Sequence, residues 1–399
     1  MGMPKPYCMF APLPTTPIEK LIEQYRNYLH LPDPGPLYVL MGAVAANMIE
    51  GPPCWLMMVG APSCGKSELL NSLLTVPHMV ECADIAGEAA FLSGCAAKDR
   101  AKDATGGLLC EIGDAGGLIV NDLTSILSKH DEKIAAIMAV FRETYGGRWT
   151  RHLGSEGGRS LSWVGKLAVF AGSTSVIDRR HQSISEMGER WVYYRFDEPA
   201  EDHWTAANLS ITASRPLEWR EELHALANQF LDGLNLSFLK PTPRRALTNS
   251  ERIRIHRLAL VGARCRSSVP RDRYSKEINA VPEAEIEVRL TTALAQLYLG
   301  MDLIGVSKAR AWKLLTKVAM DSMPRLRYDL IQAVASKSLS LEELQVKLYC
   351  NLNVTKRTAE DLEFHGIIRR ENGRFQLSPW MEERYRKIMA MAAPVSAFY

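Results

Sequence analysis

Apolar positions are spaced differently in successive parts of this chain. Between residues 37 and 196, short continuous apolar runs such as Trp55–Val59 are separated by stretches with helical spacing. Continuous apolar runs are typical of strands that helices cover on both faces, as in a parallel sheet. This region therefore predicts an α/β fold, with a parallel sheet flanked by helices.

Beyond residue 199 the apolar spacing is helical, and prolines separate the helices. Near the C-terminus, Asn372 and Gly373 stand between two short predicted strands. An Asn-Gly pair in this setting is a strong hairpin signal, because both residues accept the positive φ of a tight turn. Helices followed by a hairpin predict a winged helix-turn-helix with residues 355–364 as its recognition helix. The predicted helices cover residues 219–234, 250–267, 283–299, 325–336, 341–350 and 355–364.

These changes divide the chain into four predicted segments. Residues 1–36 are rich in proline and are expected to form an arm of extended backbone and turns. Residues 37–198 are expected to form the α/β core, and residues 199–322 a helical lid subdomain. Residues 323–399 are expected to form the winged-helix domain and a C-terminal tail.

Composition limits the class of protein without identifying a partner. The 399 residues are 47% hydrophobic and 23% charged, which allows a large core, and the formal net charge of +3 is too small to indicate nucleic-acid binding. Eight cysteines without CxxC pairs favour a reducing compartment, and no apolar run approaches the length of a membrane span. We therefore expect a soluble cytoplasmic protein without a membrane partner.

A complete phosphate-binding loop follows the first predicted strand and precedes a predicted helix. In such a loop the backbone N–H groups cradle phosphates, Lys66 reaches the outer phosphates and the Ser67 hydroxyl holds Mg²⁺. The sequence therefore predicts a site for a nucleoside triphosphate, taken as ATP, with Mg²⁺. The loop consists of Gly60, Ala61, Pro62, Ser63, Cys64, Gly65, Lys66 and Ser67.

An acid follows the next predicted buried strand, where ATP hydrolysis requires a carboxylate to anchor Mg²⁺ or to orient water. Asn121 stands directly before Asp122, although many ATPases have two acids in a row at this place. Asp122 is therefore expected to serve the metal, the water or both, with slow hydrolysis. Alternatively, Asp122 caps the helix predicted at residues 123–127.

A further apolar strand, predicted at residues 166–172, ends in Ser173 and Thr174. If this strand lies between the first two, the Thr174 hydroxyl is expected beside the γ-phosphate, where it would help to position water. Alternatively, Thr174 only ends the strand or starts a turn, because hydroxyl residues are common at such places.

The motifs occur along the chain in the order phosphate-binding loop, acid-tipped strand, glycine-rich hairpin over residues 146–163, strand ending in Thr174, and the segment 187–191. This order resembles that of an AAA+ ATPase of the minichromosome-maintenance (MCM) helicase branch. The resemblance extends to ATP-binding proteins of phages and mobile elements, which carry similar segments to Arg148-Trp149-Thr150-Arg151 and Gly188-Glu189-Arg190. It covers roughly residues 37–380 and is strongest between residues 55 and 196. The resemblance implies ATP hydrolysis at the subunit interfaces of a ring, expected to be a hexamer, that acts on DNA.

Two arginines acquire expected roles from the resemblance. Arg190 matches the arginine finger, which reaches the nucleotide of the neighbouring subunit, and Arg289 matches an arginine of the helical lid that contacts phosphates. Each also has an ordinary interpretation, Arg190 as a surface residue and Arg289 as the partner of Glu285. The chain departs from the family at Asn121 and at Thr174, which stands in place of an asparagine. We also expect no counterpart of the family's DNA-encircling N-terminal domain.

The resemblance also implies the DNA contacts. A glycine-rich hairpin over residues 146–163 matches one that projects into the channel of MCM-like rings, with Arg151, His152 and Arg159 as its basic residues. Repeated around a ring, such a loop would contact phosphates without reading sequence. In the predicted winged helix, Lys356 and Arg357 open the recognition helix, and Arg369 and Arg370 lie on the wing. Both segments also have simpler interpretations, as a soluble edge hairpin and as a protein-docking module.

These observations favour a DNA motor, either a helicase or a helicase loader of a phage or mobile element, working with other replication proteins. Its catalytic residues would be Lys66, Asp122, Thr174, Arg190 and Arg289, with Ser67 and Asp122 as metal ligands. Two alternatives stay open. One is a scaffold whose assembly is switched by ATP, and the other is a DNA-binding regulator gated by nucleotide.

Overall fold

A computed structural model describes residues 16–93, 105–154, 158–186, 188–197, 216–272 and 275–392. In this part of the chain, five parallel strands form the central sheet. They are β1 (Trp55–Val59), β2 (Met79–Glu81), β3 (Ala115–Val120), β6 (Lys166–Ser173) and β7 (Trp191–Arg195). Their order across the sheet is β2-β3-β6-β1-β7. The predicted α/β class is confirmed, and β6 does lie between β1 and β3.

Helices cover both faces of this sheet. Alternate residues of β1 belong to two separate apolar clusters, with Leu56 in one and Trp55 in the other, because successive side chains of a strand point to opposite faces. Burial on both faces explains the continuous apolar run of the sequence. The helices of this region are α1 (Pro17–Tyr25), α2 (Gly35–Asn47), α3 (Lys66–Asn71), α4 (Leu108–Ile112), α5 (Thr124–Leu127), α6 (Asp131–Tyr145), α7 (Val176–Arg179) and α8 (His181–Glu186).

The chain then forms helices α9 (Pro216–Gly233), α10 (Asn249–Arg266), α11 (Val288–Leu303) and α12 (Lys308–Asp321). Helix α11 packs closely on α2, since a Cβ at Gly300 would lie 2.0 Å from the carbonyl oxygen of Gly42. Helix α12 packs on β7, and Ser322 directly after it accepts a hydrogen bond from the backbone N–H of Tyr193 at 3.1 Å. The helical character of this part agrees with the sequence, but α12 itself was not predicted.

The C-terminal part contains helices α13 (Arg325–Ser336), α14 (Leu341–Leu348) and α15 (Leu352–Phe364), strands β8 (Ile368–Glu371) and β9 (Arg374–Leu377), and helix α16 (Pro379–Ala392). The predicted hairpin is confirmed, because β8 pairs antiparallel with β9. Asn372 and Gly373 join the strands with φ values of 49° and 77°, which suit a tight turn.

The prediction for residues 1–36 is wrong over residues 17–25. These residues form α1, and Ile18, Leu21 and Tyr25 on one of its faces are buried in the core beside α9. Pro17 stands in the first turn, where proline is compatible with a helix because its missing N–H would have no partner there. Proline content was thus a poor guide, and residues 1–15 of the segment lie outside the described residues.

Candidate nucleotide-binding site

The phosphate-binding loop connects β1 with α3 at the carboxyl edge of the sheet. Gly65 has a φ of 89°, and a Cβ there would meet nothing within 4 Å, so its left-handed backbone rather than crowding requires glycine. Crowding matters at Gly60 instead, where a Cβ would lie 2.7 Å from Cys64 Sγ. Helix α3 begins at Lys66, which places its N-terminal N–H groups behind the loop.

Lys66 lies across the loop with its side chain largely buried. Its ammonium group donates to the carbonyl oxygens of Gly60 at 2.9 Å and Ala61 at 2.7 Å. These bonds satisfy the buried charge, and the outer phosphates of a triphosphate would take their place. Ser67, the next residue, is exposed on the first turn of α3. The geometry of the loop fits a bound phosphate chain.

The other predicted hydrolytic residues lie on the same edge. Gly60 N–H donates to the Ser173 carbonyl at 3.2 Å, and Leu123 N–H donates to the Gly172 carbonyl at 2.7 Å, which joins the ends of β1, β6 and β3. The Thr174 hydroxyl lies 3.5 Å from the Thr124 hydroxyl. Since neighbouring strands are about 4.8 Å apart, the end of β3 lies about 10 Å from the loop. The structure therefore brings Lys66, Ser67, Asp122 and Thr174 to one edge.

Asp122 lies just before α5 but is not its N-cap residue, which is Leu123. Its Oδ1 accepts a hydrogen bond at 2.8 Å from the backbone N–H of Thr124, where α5 begins. The carboxylate is exposed and has a second oxygen, so this local hydrogen bond does not prevent it from binding a metal ion or water. Its predicted roles at the nucleotide stay predictions.

Asn121 is held by an acid that sequence reasoning missed. Its amide Nδ2 donates to Glu81 Oε1 at 2.7 Å, across the pair of strands β3 and β2. Its Oδ1 is buried and accepts no hydrogen bond from any described residue. Glu81 ends β2, a strand of three residues that is too short to stand out in the sequence. Its position directly after the apolar pair Met79 and Val80 was the one available signal.

The predicted arginines lie at the opposite edge of the sheet. Trp191 is in register with Trp55, the first residue of β1, so Arg190 lies beside the amino end of that strand. The phosphate-binding loop follows the other end of β1, and a strand of five residues spans about 16 Å. Arg190 is therefore far from the phosphate-binding loop of its own chain.

Arg190 and Arg289 lie together at this amino edge. A Cβ at Gly188 would lie 3.1 Å from Arg190 Nη1 and 2.5 Å from Arg289 Nη1. Burial lowers the pKa of Arg190, and the positive charges of Arg289 and Arg142 lower it further. Arg190 also donates to the Gly188 carbonyl and lies 5.7 Å from the ring centroid of Tyr145. Three arginines therefore lie near one another at this edge, with the buried carboxylate of Glu189 beside Arg190.

The ordinary interpretation of Arg289 is wrong. Glu285 pairs with Arg266 instead, through two bonds of 2.7 Å each, and α11 begins only at Val288. Arg266 is almost completely buried, so its planar, permanently charged guanidinium requires a carboxylate partner, and Glu285 is that partner. Glu189, also buried, accepts from the Tyr193 hydroxyl at 2.9 Å.

The predicted DNA hairpin forms, with strands β4 (Arg148–Leu153) and β5 (Arg159–Val164). Its two faces differ. Arg151 points towards the body of the protein, where it donates to the Leu92 carbonyl at 2.8 Å and pairs with Glu88 at 3.4 Å. His152 is exposed on the other face, with its Nδ1 2.8 Å from the Ser160 hydroxyl. Of the predicted turn, residues 155–157 lie outside the described residues.

Arg148, which was not predicted as a DNA contact, shares the exposed face with His152. Residues two apart in a strand point to the same side, and Arg148 is exposed. Thr150 lies between them and forms a 3.0 Å hydrogen bond with Ser162 of β5. Arg159 is exposed at the far end of the hairpin. Alternation along β4 was visible in the sequence, but which face was free depended on the packing.

The predicted DNA-contacting residues of the C-terminal part are only partly free to bind a phosphate backbone. Lys356 is exposed, 3.8 Å from Glu360, and Arg357 is half-buried. On the hairpin, Arg369 pairs with Glu371, and the Arg370 guanidinium lies 5.4 Å from the ring centroid of Phe375. Acidic partners of this kind reduce the net positive charge offered to a phosphate backbone.

Comparison with known proteins identifies no family. No family model and no curated protein matches this chain. Among solved structures, it is similar to one titled "The A form apo structure of NrS-1 C terminal region-CTR", at 10% sequence identity and a TM-score of 0.26 over 62% of this chain. The chain matches 54%, or about half, of the length of that structure. A TM-score this low supports no argument about function.

Apolar helices of membrane-spanning length do not occur in the described part of the chain.

Proposed function

We propose that this chain is an ATPase of the AAA+ type that binds ATP with Mg²⁺ and hydrolyses it between adjacent copies of a ring. Lys66, Ser67, Asp122 and Thr174 of one copy would surround the triphosphate. Arg190 and Arg289 of the next copy would approach the γ-phosphate from the other side. Bound Mg²⁺ would neutralise part of the phosphate charge.

The single observation that carries this proposal is the distance between the phosphate-binding loop and the two arginines, Arg190 and Arg289. The phosphate-binding loop and Asp122 lie at the carboxyl edge of the sheet, and the cationic cluster around Arg190 lies at the amino edge. One molecule cannot bring both to the same nucleotide, because the strands between them are rigid. Stacking identical copies head to tail would bring the amino edge of one copy to the carboxyl edge of another, and such contacts form a ring where the rotation between copies closes.

The proposed polymer is DNA. The exposed hairpin face with Arg148 and His152, together with Arg159, would contact phosphates as the ring turns over ATP. The C-terminal helices and hairpin would act as a winged helix that positions duplex DNA. This proposal names Arg148 in place of Arg151, because Arg151 is already bound to the body of the protein.

A mixing experiment tests the shared site. Lys66→Ala lacks a working loop and keeps its arginines, whereas Arg190→Ala keeps its loop and lacks the arginine. Each variant alone should be inactive, and an equal mixture should regain activity at about a quarter of its interfaces, since one partner of each kind must meet in the right order. Activity of Arg190→Ala alone at the wild-type rate would contradict the shared site.

Asn121 in place of an acid favours a second candidate, an ATP-switched scaffold with slow turnover. Light scattering with ATP and with a non-hydrolysable analogue separates the two. The motor requires turnover that single-stranded DNA accelerates, and the scaffold requires assembly with either nucleotide and little hydrolysis. A nucleotide-gated regulator would instead protect one defined DNA site in a footprint.

A further inference from the structure

The contact between Glu81 and Asn121 lies within the proposed hydrolytic edge. Asn121 directly precedes Asp122 at the end of β3, and Glu81 ends the neighbouring strand β2. The two side chains meet at 2.7 Å. In the described part of the chain Glu81 forms no ion pair, so its negative charge is not cancelled by a nearby cation.

This contact determines which way the Asn121 amide points. An ionised carboxylate can only accept hydrogen bonds, so the amide nitrogen must be the atom that faces Glu81. The amide oxygen must then point elsewhere, and Asn121 Oδ1 is buried without a donor among the described residues. An unsatisfied buried oxygen is costly, and a water molecule or a cation would relieve that cost.

We propose that Glu81 is a positioning residue for the magnesium site, acting through Asn121. Glu81 holds the amide nitrogen of Asn121, so that Oδ1 is the atom that would be left for the metal or for one of its water ligands. It also supplies, from the adjacent strand, the negative charge that an acid at position 121 would provide. The proposal rests on the proposed ATPase function, since it assigns a role at that same site.

The charge at this edge supports the assignment. Oxygen ligands held by outer carboxylates are a usual arrangement around metal ions, because the outer group fixes the orientation of the ligand. Asp122 alone would leave the edge with one acid, and one of its oxygens already accepts a hydrogen bond from the backbone N–H of Thr124. Glu81 and Asp122 together restore two negative charges beside the asparagine.

The test uses Glu81→Gln, which keeps the size of the side chain and removes its charge. A glutamine can offer its own amide N–H to Asn121, so the orientation of Asn121 is no longer imposed. The measurement is binding of a fluorescent ATP analogue at increasing Mg²⁺ concentrations. We expect the Mg²⁺ concentration for half-maximal enhancement to rise on the order of tenfold, with little change in binding without Mg²⁺.

Two further variants make the test specific. Glu132→Gln changes an exposed glutamate in the first turn of α6 and should leave the Mg²⁺ titration unchanged. Glu81→Gln combined with Asn121→Asp moves the acid onto β3 and should restore the wild-type titration. Thermal unfolding of each variant identifies any that fail to fold. If Glu81→Gln is one of them, the Mg²⁺ titration of the double variant decides whether an acid on β3 can replace Glu81.

The outcomes separate this inference from the proposed function. If the wild type binds no nucleotide, the proposed function fails. If the wild type responds to Mg²⁺ and Glu81→Gln responds identically, only the role of Glu81 is overturned. A raised Mg²⁺ requirement in Glu81→Gln that the added Asn121→Asp reverses supports it.

Discussion

The carboxyl and amino edges of the sheet differ in what they can do alone. At the carboxyl edge, the charged Lys66 ammonium is hydrogen-bonded to loop carbonyls, and the carboxylates of Asp122 and Glu81 lie along the same edge, which suits a phosphate chain with its metal. At the amino edge, Arg289 and Arg142 lie near Arg190, and their positive charges lower its pKa in addition to the effect of burial. The first edge combines a cation with nearby carboxylates, whereas the second gathers three arginines, with the buried Glu189 carboxylate beside Arg190.

From this difference we infer that a cluster of like charges can indicate an interface between copies of the chain. Burying Arg190 beside two other arginines costs free energy in an isolated chain, because desolvation and repulsion act in the same direction. A phosphate group from a second copy would reverse the sign of that interaction. We therefore expect the two edges to respond differently to mutation.

The largest effect is expected at the carboxyl edge. Lys66→Ala removes the cation that would bind the outer phosphates, and we expect both nucleotide binding and turnover to be lost. Equilibrium binding of a fluorescent ATP analogue and a phosphate-release assay measure the two. Normal nucleotide affinity in Lys66→Ala would contradict the assignment of this edge.

At the amino edge, Arg190→Ala should affect turnover without affecting binding. An arginine that acts from a neighbouring subunit stabilises charge that develops in the transition state, so turnover should fall on the order of 1,000-fold. Nucleotide affinity should stay close to that of the wild type, since the loop is intact. Arg190→Lys is the matched control, and it should recover little because it lacks the planar fork.

Arg289→Ala should have a smaller effect in the same direction. We expect turnover to fall on the order of 100-fold, as for the loss of one donor to a charged transition state. Arg142→Ala, which removes a neighbouring charge from the same cluster, serves as the comparison. If Arg289→Ala instead weakens nucleotide binding by a monomeric protein, the two edges are not separate as we describe them.

The hairpin allows a comparison between its own two faces. Arg148→Ala should reduce the stimulation of ATPase activity by DNA and lower the salt dependence of DNA binding by about one counter-ion. Arg151→Ala should change the salt dependence little, because that side chain bonds to Leu92 and Glu88. Fluorescence anisotropy with labelled single-stranded DNA over a range of salt concentrations measures both. Equal effects would contradict the assignment of the faces.

The smallest effect concerns stability, away from both edges. The Arg245 guanidinium, with Thr248 N–H and Tyr298, lowers the pKa of Glu251 to about 2 from 4.5. A lowered folded-state pKa stabilises the protein above pH 4.5, and this contribution is lost as the pH falls towards 2. Glu251→Gln should cost about 1 kcal/mol at pH 7, with a smaller cost near pH 3. Urea unfolding of both proteins at pH 7 and near pH 3 measures the difference in the free energy of unfolding.

Local features were predictable because they depend on neighbours in the sequence. The phosphate-binding loop needs Gly65 for its left-handed backbone, and the C-terminal turn needs Asn372 and Gly373 for the same reason. The buried strands follow from continuous apolar runs. Helix α1 was missed because proline content outweighed the periodic spacing of Ile18, Leu21 and Tyr25.

Tertiary structure decided which of these local features meet. Only the strand order places Glu81 beside Asn121, since the two residues are 40 positions apart and belong to strands whose pairing no local pattern specifies. Only packing turns Arg151 towards the body and leaves Arg148 exposed. The sequence alone determined that a phosphate-binding loop forms, because that needs backbone conformation. The sheet decided which side chains face it, because parallel strands bring distant residues to a common edge.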